Sequence, residues 1–298
     1  ITEAAIRAGD VKLATNYLQI VSDEEPDPKE VDQLALLEGK LQQLAGGFDA
    51  AVEAWEAAAE GEHQPSIANA IVNRIDLLML QKKIKAKEAI EELEGLRYFW
   101  RGGDFEFALL RKLGRYYLDI KDYKNGLSTL KAAASNFRGH EFATEVTKEM
   151  ANAFKELYLN DAADEMQPVQ AIALFDEFKE LTPSGKQGDE MIRKLADRLA
   201  QVDLFDRAAK LLNQQVNFRL KGVDRARVGA RLATVRILNK EPELAIEALQ
   251  KSDDPSLPGD LATQRAQLKA RALIDLGQPQ EAIDVLKEDE SQEADLLR

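Results

Sequence analysis

The residue types that do acid–base, nucleophilic or metal chemistry are thinly spread along these 298 residues. There is no cysteine, which excludes disulfides, thiolate zinc sites and cysteine nucleophiles. The two histidines, His63 and His140, both fall where the pattern predicts connections between helices, and they read as solvated loop histidines. Acidic residues cluster at Asp23–Asp27, Asp161–Glu165, Asp253-Asp254 and Glu288–Glu290 without the ligand spacing of an EF-hand loop. They read as solvated linkers, the alternative being weak cation binding at Asp161, Asp164 and Glu165. No G-x-x-x-x-G-K-[ST], G-x-G-x-x-G, H-E-x-x-H or G-x-S-x-G occurs. Gly102-Gly103 is too short to cradle a phosphate and reads as a turn into a helix capped by Asp104. The expectation is a chain with no catalytic residues, cofactor or metal site, and not an enzyme.

The elements that would position any other chemistry are legible. Between Phe107 and Phe137, Leu109, Leu110, Leu113, Tyr116, Tyr117 and Ile120 recur at three- and four-residue steps, the period of one helix face. Lys121-Asp122-Tyr123 interrupts, and a second stripe follows at Leu127, Leu130, Ala133 and Ala134. Gly114 and Gly126 lie inside these stripes, where a glycine costs about 1 kcal/mol relative to alanine. Their presence predicts two antiparallel helices in close approach. Such a hairpin cannot bury its apolar face alone and needs neighbours.

The neighbours are copies. Small residues followed four positions later by a large apolar one recur at Ala14, Ala51, Ala89, Gly126, Ala171, Ala208, Ala245 and Ala282, at intervals of 37, 38, 37, 45, 37, 37 and 37. The partners four positions on are Leu18, Trp55, Leu93, Leu130, Phe175, Leu212, Leu249 and Leu286. Twelve positions before the anchors stand Gly39, Leu77, Gly114, Ala196, Ala233 and Ala270, and three before them stand aromatics or prolines in six of eight cases. The one long interval places an insertion of eight residues around Asn160–Pro168.

Gly39, Phe48, Ala51, Trp55 and Ala58, like Gly114, Tyr123, Gly126, Leu130 and Ala133, resemble the tetratricopeptide repeat family, and the likeness extends over nearly the whole chain. The period of 37 departs from that family's usual 34. Since the spacing inside each hairpin is kept, the three extra residues belong between hairpins. The resemblance implies an all-α fold, a right-handed α-α superhelix of about eight hairpins forming one continuous solenoid over 1–298. The segments are a partial repeat at 1–22, hairpins at about 29–62, 66–100, 104–137, 140–181, 186–220, 223–252 and 259–288, and the start of another at 292–298.

Composition agrees: 45% hydrophobic, 31% charged and 6% aromatic residues suit a helical chain, and no apolar run approaches the ~18 residues of a membrane span. A net charge of −13 argues against nucleic acid or anionic membrane as a partner. The chain opens on Ile1 and closes just inside a helix, so a soluble segment of a longer protein is expected, cytoplasmic or periplasmic, its targeting region lying elsewhere.

Where the first helices of tetratricopeptide hairpins line a concave groove, the resemblance places Arg74, Arg111, Arg115, Lys148 and Arg193 on that face. One reading is a basic stripe receiving an acidic peptide through charge-assisted hydrogen bonds; the other is ordinary charged cover paired with nearby glutamates. Chaperone-binding members of the family clamp a peptide C-terminus with a lysine and an asparagine four apart. Lys148 and Asn152 match that pair and Arg227 and Arg231 the later basic positions, while Lys194 departs from the expected asparagine. Tyr98, Phe99 and Trp100, with Phe105 and Phe107, form a second candidate surface, as hot-spot aromatics or as filling for a wide junction. The insertion is a third. The function expected is a non-catalytic scaffold binding a protein or peptide, acidic in character on the basic-stripe reading. The alternatives are a spacer that self-associates through uncapped solenoid ends, or the accessory domain of an enzyme.

Overall fold

The computed structural model describes residues 1–298, and they form α-helices in consecutive antiparallel pairs, with no strand. The pairs are α1 (Thr2–Arg7) with α2 (Val11–Ser22), α3 (Pro28–Ala45) with α4 (Phe48–Ala59), α5 (Gln64–Leu80) with α6 (Ala86–Phe99), and α7 (Gly103–Asp119) with α8 (Tyr123–Asn136). They continue as α9 (Ala143–Leu159) with α10 (Pro168–Glu177), α11 (Lys186–Gln201) with α12 (Phe205–Gln214), α13 (Gly222–Leu238) with α14 (Pro242–Lys251), and α15 (Gly259–Asp275) with α16 (Pro279–Val285). A last helix, α17 (Gln292–Leu297), packs on α15 and buries Ala294 against Ala270, Ala282 and Leu286. The array divides into two units, Ile1–Ala153 and Phe154–Arg298.

Every anchor of the repeat is buried, as is every large apolar residue four positions after it. The pattern is therefore the core itself. Helices α7 and α8 show why it alternates small with large. A methyl group at Gly114 would lie 2.6 Å from Leu130 Cγ and 3.2 Å from the Gly126 carbonyl oxygen. The two backbones touch where the glycines face each other, and Leu130 fills the space beside them.

The residue three before each anchor, an aromatic or proline in six of eight cases, is the first residue of each second helix, from Val11 to Pro279. Proline is tolerated there because that N–H has no helical partner. Two residues earlier, six hairpins place a residue at positive φ: Gly9, Gly46, Lys121, Asp203, Lys240 and Gly277. At Lys240 the turn closes with its N–H on the Ile237 carbonyl and the Glu241 N–H on the Arg236 carbonyl, both at 2.9 Å, satisfying the end of α13.

The first helix of a hairpin also grips the connection that follows it. Asp32, buried on α3, accepts the backbone N–H groups of Glu62 (2.6 Å) and His63 (2.7 Å) at the start of α5. Asp189, in the same repeat position on α11, accepts from Arg219 Nε (2.8 Å), while its carbonyl accepts from Gln215 Nε2 (2.9 Å), both in the segment before α13. Phe107, again in that position on α7, stacks on His140 at 3.6 Å between ring centres. Further on, Arg265 of α15 is buried and donates to the carbonyls of Ala226 (2.7 Å) and Leu249 (2.6 Å), tying α13, α14 and α15 together.

Candidate functional site

Within the first unit, α7 and the start of α9 border a groove of about 590 Å³. Its polar wall is Arg111, Lys112 and Arg115, one helical face of α7; its apolar wall comes from Phe107, Tyr116 and Phe142. Arg111 and Arg115 stand four residues apart, so their side chains rise from adjacent turns and converge. They converge on one acid, Glu149 of α9. Arg111 donates to Glu149 Oε1 from Nη2 at 2.6 Å and from Nε at 3.1 Å, and Arg115 Nε donates to Oε2 at 3.1 Å. Arg111 also lies over the Phe142 ring at 5.6 Å.

Two cations on one carboxylate leave the cluster with surplus positive charge. Partial burial pushes the Glu149 carboxyl up, but the hydrogen bonds from Arg115 and Arg111 outweigh it and hold its pKa below the usual glutamate value. The bond to Glu149 raises the Arg115 guanidinium in turn. Lys112 is matched with Asp76 of α5. Burial, with Asp76 and Asp119 nearby, pushes the Tyr116 phenol up to about 12 and keeps it a neutral donor. His140 accepts the Phe142 N–H at Nδ1 (3.2 Å), and its Nε2 lies 3.7 Å from Asp104. The groove is a rigid cationic pair beside an aromatic wall. It holds no nucleophile–base pair.

Of the other residues expected on this face, Lys148 and Asn152 are exposed on α9, one turn apart on either side of Glu149. Arg74 has its partners on second helices, Glu56 of α4 (3.6 Å) and Glu92 of α6, so it does not join the groove. Arg193 lies half-buried in the second unit with no partner for Nε. In that unit Arg231 is paired with Asp197, and Lys194 donates to the Leu159 carbonyl (2.7 Å) and Asp161 (2.8 Å). The aromatic group divides: Phe107 is core, Trp100 meets Phe105 edge-on at 5.9 Å, and Tyr98 is 80% exposed with Phe99 partly so.

Two expectations change. Both histidines do occupy inter-hairpin connections, but neither is a free loop side chain. His63 is hydrogen-bonded through Nδ1 to Ser66 (2.8 Å), and His140 is stacked on Phe107 with Phe142 tilted beside it at 5.8 Å. The insertion is docked as well. After a 3₁₀ turn over Ala162–Glu165, Asp161 and Asp164 take Lys194 and Arg198 of α11, so protein cations fill the place of a bound cation. The Lys194 hydrogen bond holds the Asp161 carboxyl below its ordinary value.

Sequence reading missed Glu149, Phe142 and His140 as parts of the site. A signal existed: Glu149 lies 34 residues after Arg115 and 38 after Arg111, one repeat away, as Asp197 is from Arg231 and Asp164 from Arg198 at 34 each.

No family model matches the sequence, and no curated protein matches it. Among solved structures, the apo form of RapI aligns over 96% of each chain at 12% identity and a TM-score of 0.44. A tetratricopeptide repeat protein from Parabacteroides merdae aligns over 91% of this chain and 96% of its own, at 13% identity and a TM-score of 0.39. A Rap protein complexed with competence and sporulation factor aligns over 97% of this chain and 85% of its own, at 13% identity and a TM-score of 0.40. By the residues at its own helix contacts, this chain is a tetratricopeptide-like array of helical hairpins.

Proposed function

We propose that the chain is a non-catalytic interaction scaffold whose α7–α9 groove receives an acidic segment of a protein partner. The observation that carries this is the sharing of one carboxylate by Arg111 and Arg115. A ligand carboxylate entering the groove completes the second arginine pair without first stripping away an existing partner. Glu149 has already fixed both guanidinium planes, so little side-chain entropy is lost on binding. Phe142, 44% exposed, supplies apolar area for a neighbouring side chain, and Lys148 and Asn152 extend the polar surface along α9.

The test is fluorescence anisotropy with fluorescein-labelled peptides carrying an aromatic residue followed by two or three acidic ones, and with amidated, acid-free controls. Arg115→Glu combined with Lys148→Glu changes two exposed side chains. Binding is expected to fall at least about tenfold, with the thermal melt lowered by no more than about 4 °C through loss of the Arg115–Glu149 pair. Equal binding by the variant, or by the acid-free controls, refutes the proposal.

A further inference from the structure

A second cleft, of about 490 Å³, lies in the other unit, between α10 and α12 over α11. Its lining follows helical arithmetic. From α11 come Ile192, Leu195 and Leu199, an apolar stripe two turns long; α10 adds Ile172, Phe175 and Asp176, and α12 adds Arg207, Lys210, Leu211 and Gln214. The floor is apolar, with Leu211 half-buried at one wall. The rim is cationic: Lys179, Arg207 and Lys210 are exposed and make no ion pair, while Arg219 is committed to Asp189 at 2.8 Å. Asp176 is the only acid among the lining residues.

That combination is unusual in a chain of net charge −13, whose other cations so often face an acid of a neighbouring helix. Three cations without partners around an apolar floor gain nothing from one another. Their mutual repulsion falls when negative charge arrives. A cleft of this volume is in the range that takes a ligand, and the two-turn apolar stripe of α11 matches the apolar ridge of a helix rather than a point anion. We infer that the cleft docks an acidic amphipathic helix of a partner protein, its apolar ridge entering between α10 and α12 and its flanking Asp or Glu residues meeting Lys179, Arg207 and Lys210. This site shares no residue with the α7–α9 groove and does not depend on it.

The absence of cysteine makes a clean readout possible. The exposed cleft residue Gln214 is changed to Cys and labelled with an environment-sensitive fluorophore on the full chain. The probe is a synthetic 14-residue helix with leucine at positions i, i+3, i+4 and i+7 and glutamate elsewhere. Controls are the same peptide with lysine for glutamate, and dodecanoate. Saturable binding of the glutamate peptide is expected, weakening with salt and falling at least about tenfold in the surface variant Lys179→Glu/Arg207→Glu/Lys210→Glu. Arg115→Glu should leave it unchanged. No saturation up to about 1 mM, the weakest affinity worth the name, overturns the inference. Equal binding of the lysine peptide, or by the triple variant, also overturns it. Dodecanoate binding as tightly as the peptide would reassign the cleft to a small amphiphile.

Discussion

Replacing Glu149 with glutamine isolates the charge at the centre of the groove while keeping its shape. The carboxylate and Arg111 are each about a fifth exposed (23% and 21%), whereas Arg115 is 53% exposed. Two opposite charges about 4 Å apart are worth about 4 kcal/mol at the effective dielectric of a protein surface and about 1 kcal/mol in water. The Arg115 pair belongs near the lower figure and contributes under about 1 kcal/mol. The Arg111 pair, with two hydrogen bonds to one oxygen, is a charge-assisted contact of about 1.5–3 kcal/mol. Glutamine retains one acceptor and removes the desolvation cost of the carboxylate, so the net loss is about 2 kcal/mol. Its pH dependence is the sharper signature. The folded-state pKa of Glu149 lies below the ordinary value of 4.5. The contribution is therefore complete above pH 4.5 and disappears as pH falls through the folded pKa. Urea unfolding of both proteins between pH 7 and 3 should show a gap that is constant down to about pH 5 and then closes, with unchanged slopes. A gap that persists undiminished at pH 3 would mean that the glutamine disturbs packing and that the shared ion pair contributes nothing.

Two further substitutions address the hairpin itself. Gly114→Ala places a methyl 2.6 Å from Leu130 Cγ; overpacking of about 1–3 kcal/mol exceeds the roughly 1 kcal/mol gained in helix propensity, so the urea midpoint should fall. A rise would show that α7 and α8 can separate without cost. Lys240→Gly relieves an exposed side chain at a φ of 61° and should raise stability by about 1 kcal/mol, read as a higher urea midpoint; a lower midpoint would show that Lys240 holds the turn by its side chain.

The fold was readable because packing writes a simple code: wherever two helices press together, one side is small and the other large. Gly39 against Trp55 and Gly114 against Leu130 show that code directly, and all eight anchors are buried. The turns were less legible. Glycine occupies the left-handed position at Gly46 and Gly277, but Lys121, Asp203 and Lys240 take the same backbone conformation, and nothing in their side chains announces it. The groove was half legible. Arg111 and Arg115 could be placed on a helix face by counting, but Glu149 joins them only because consecutive first helices lie side by side. Arg265 was invisible, since an arginine in a polar helical stretch looks like surface until three helices close over it. The α10–α12 cleft was missed because it is a departure from regular packing, and a repeat pattern describes what recurs.

The grip of three first helices, α3, α7 and α11, on the connections after them gives these hairpins a direction. Asp32 holds the start of α5, Phe107 the approach to α9 through His140, and Asp189 the segment leading into α13. In each case the holder precedes in the chain what it holds. A ribosome releasing this chain delivers these three fasteners before the parts to be fastened, so the three connections emerge next to a finished seat. Trimmed from its C-terminal side, the array sheds what was last attached, except that loss of α15 also removes Arg265 from between α13 and α14. Trimmed from the other side, it loses the fastener of the hairpin left behind. The two ends of the chain are thus unequal in what their removal undoes.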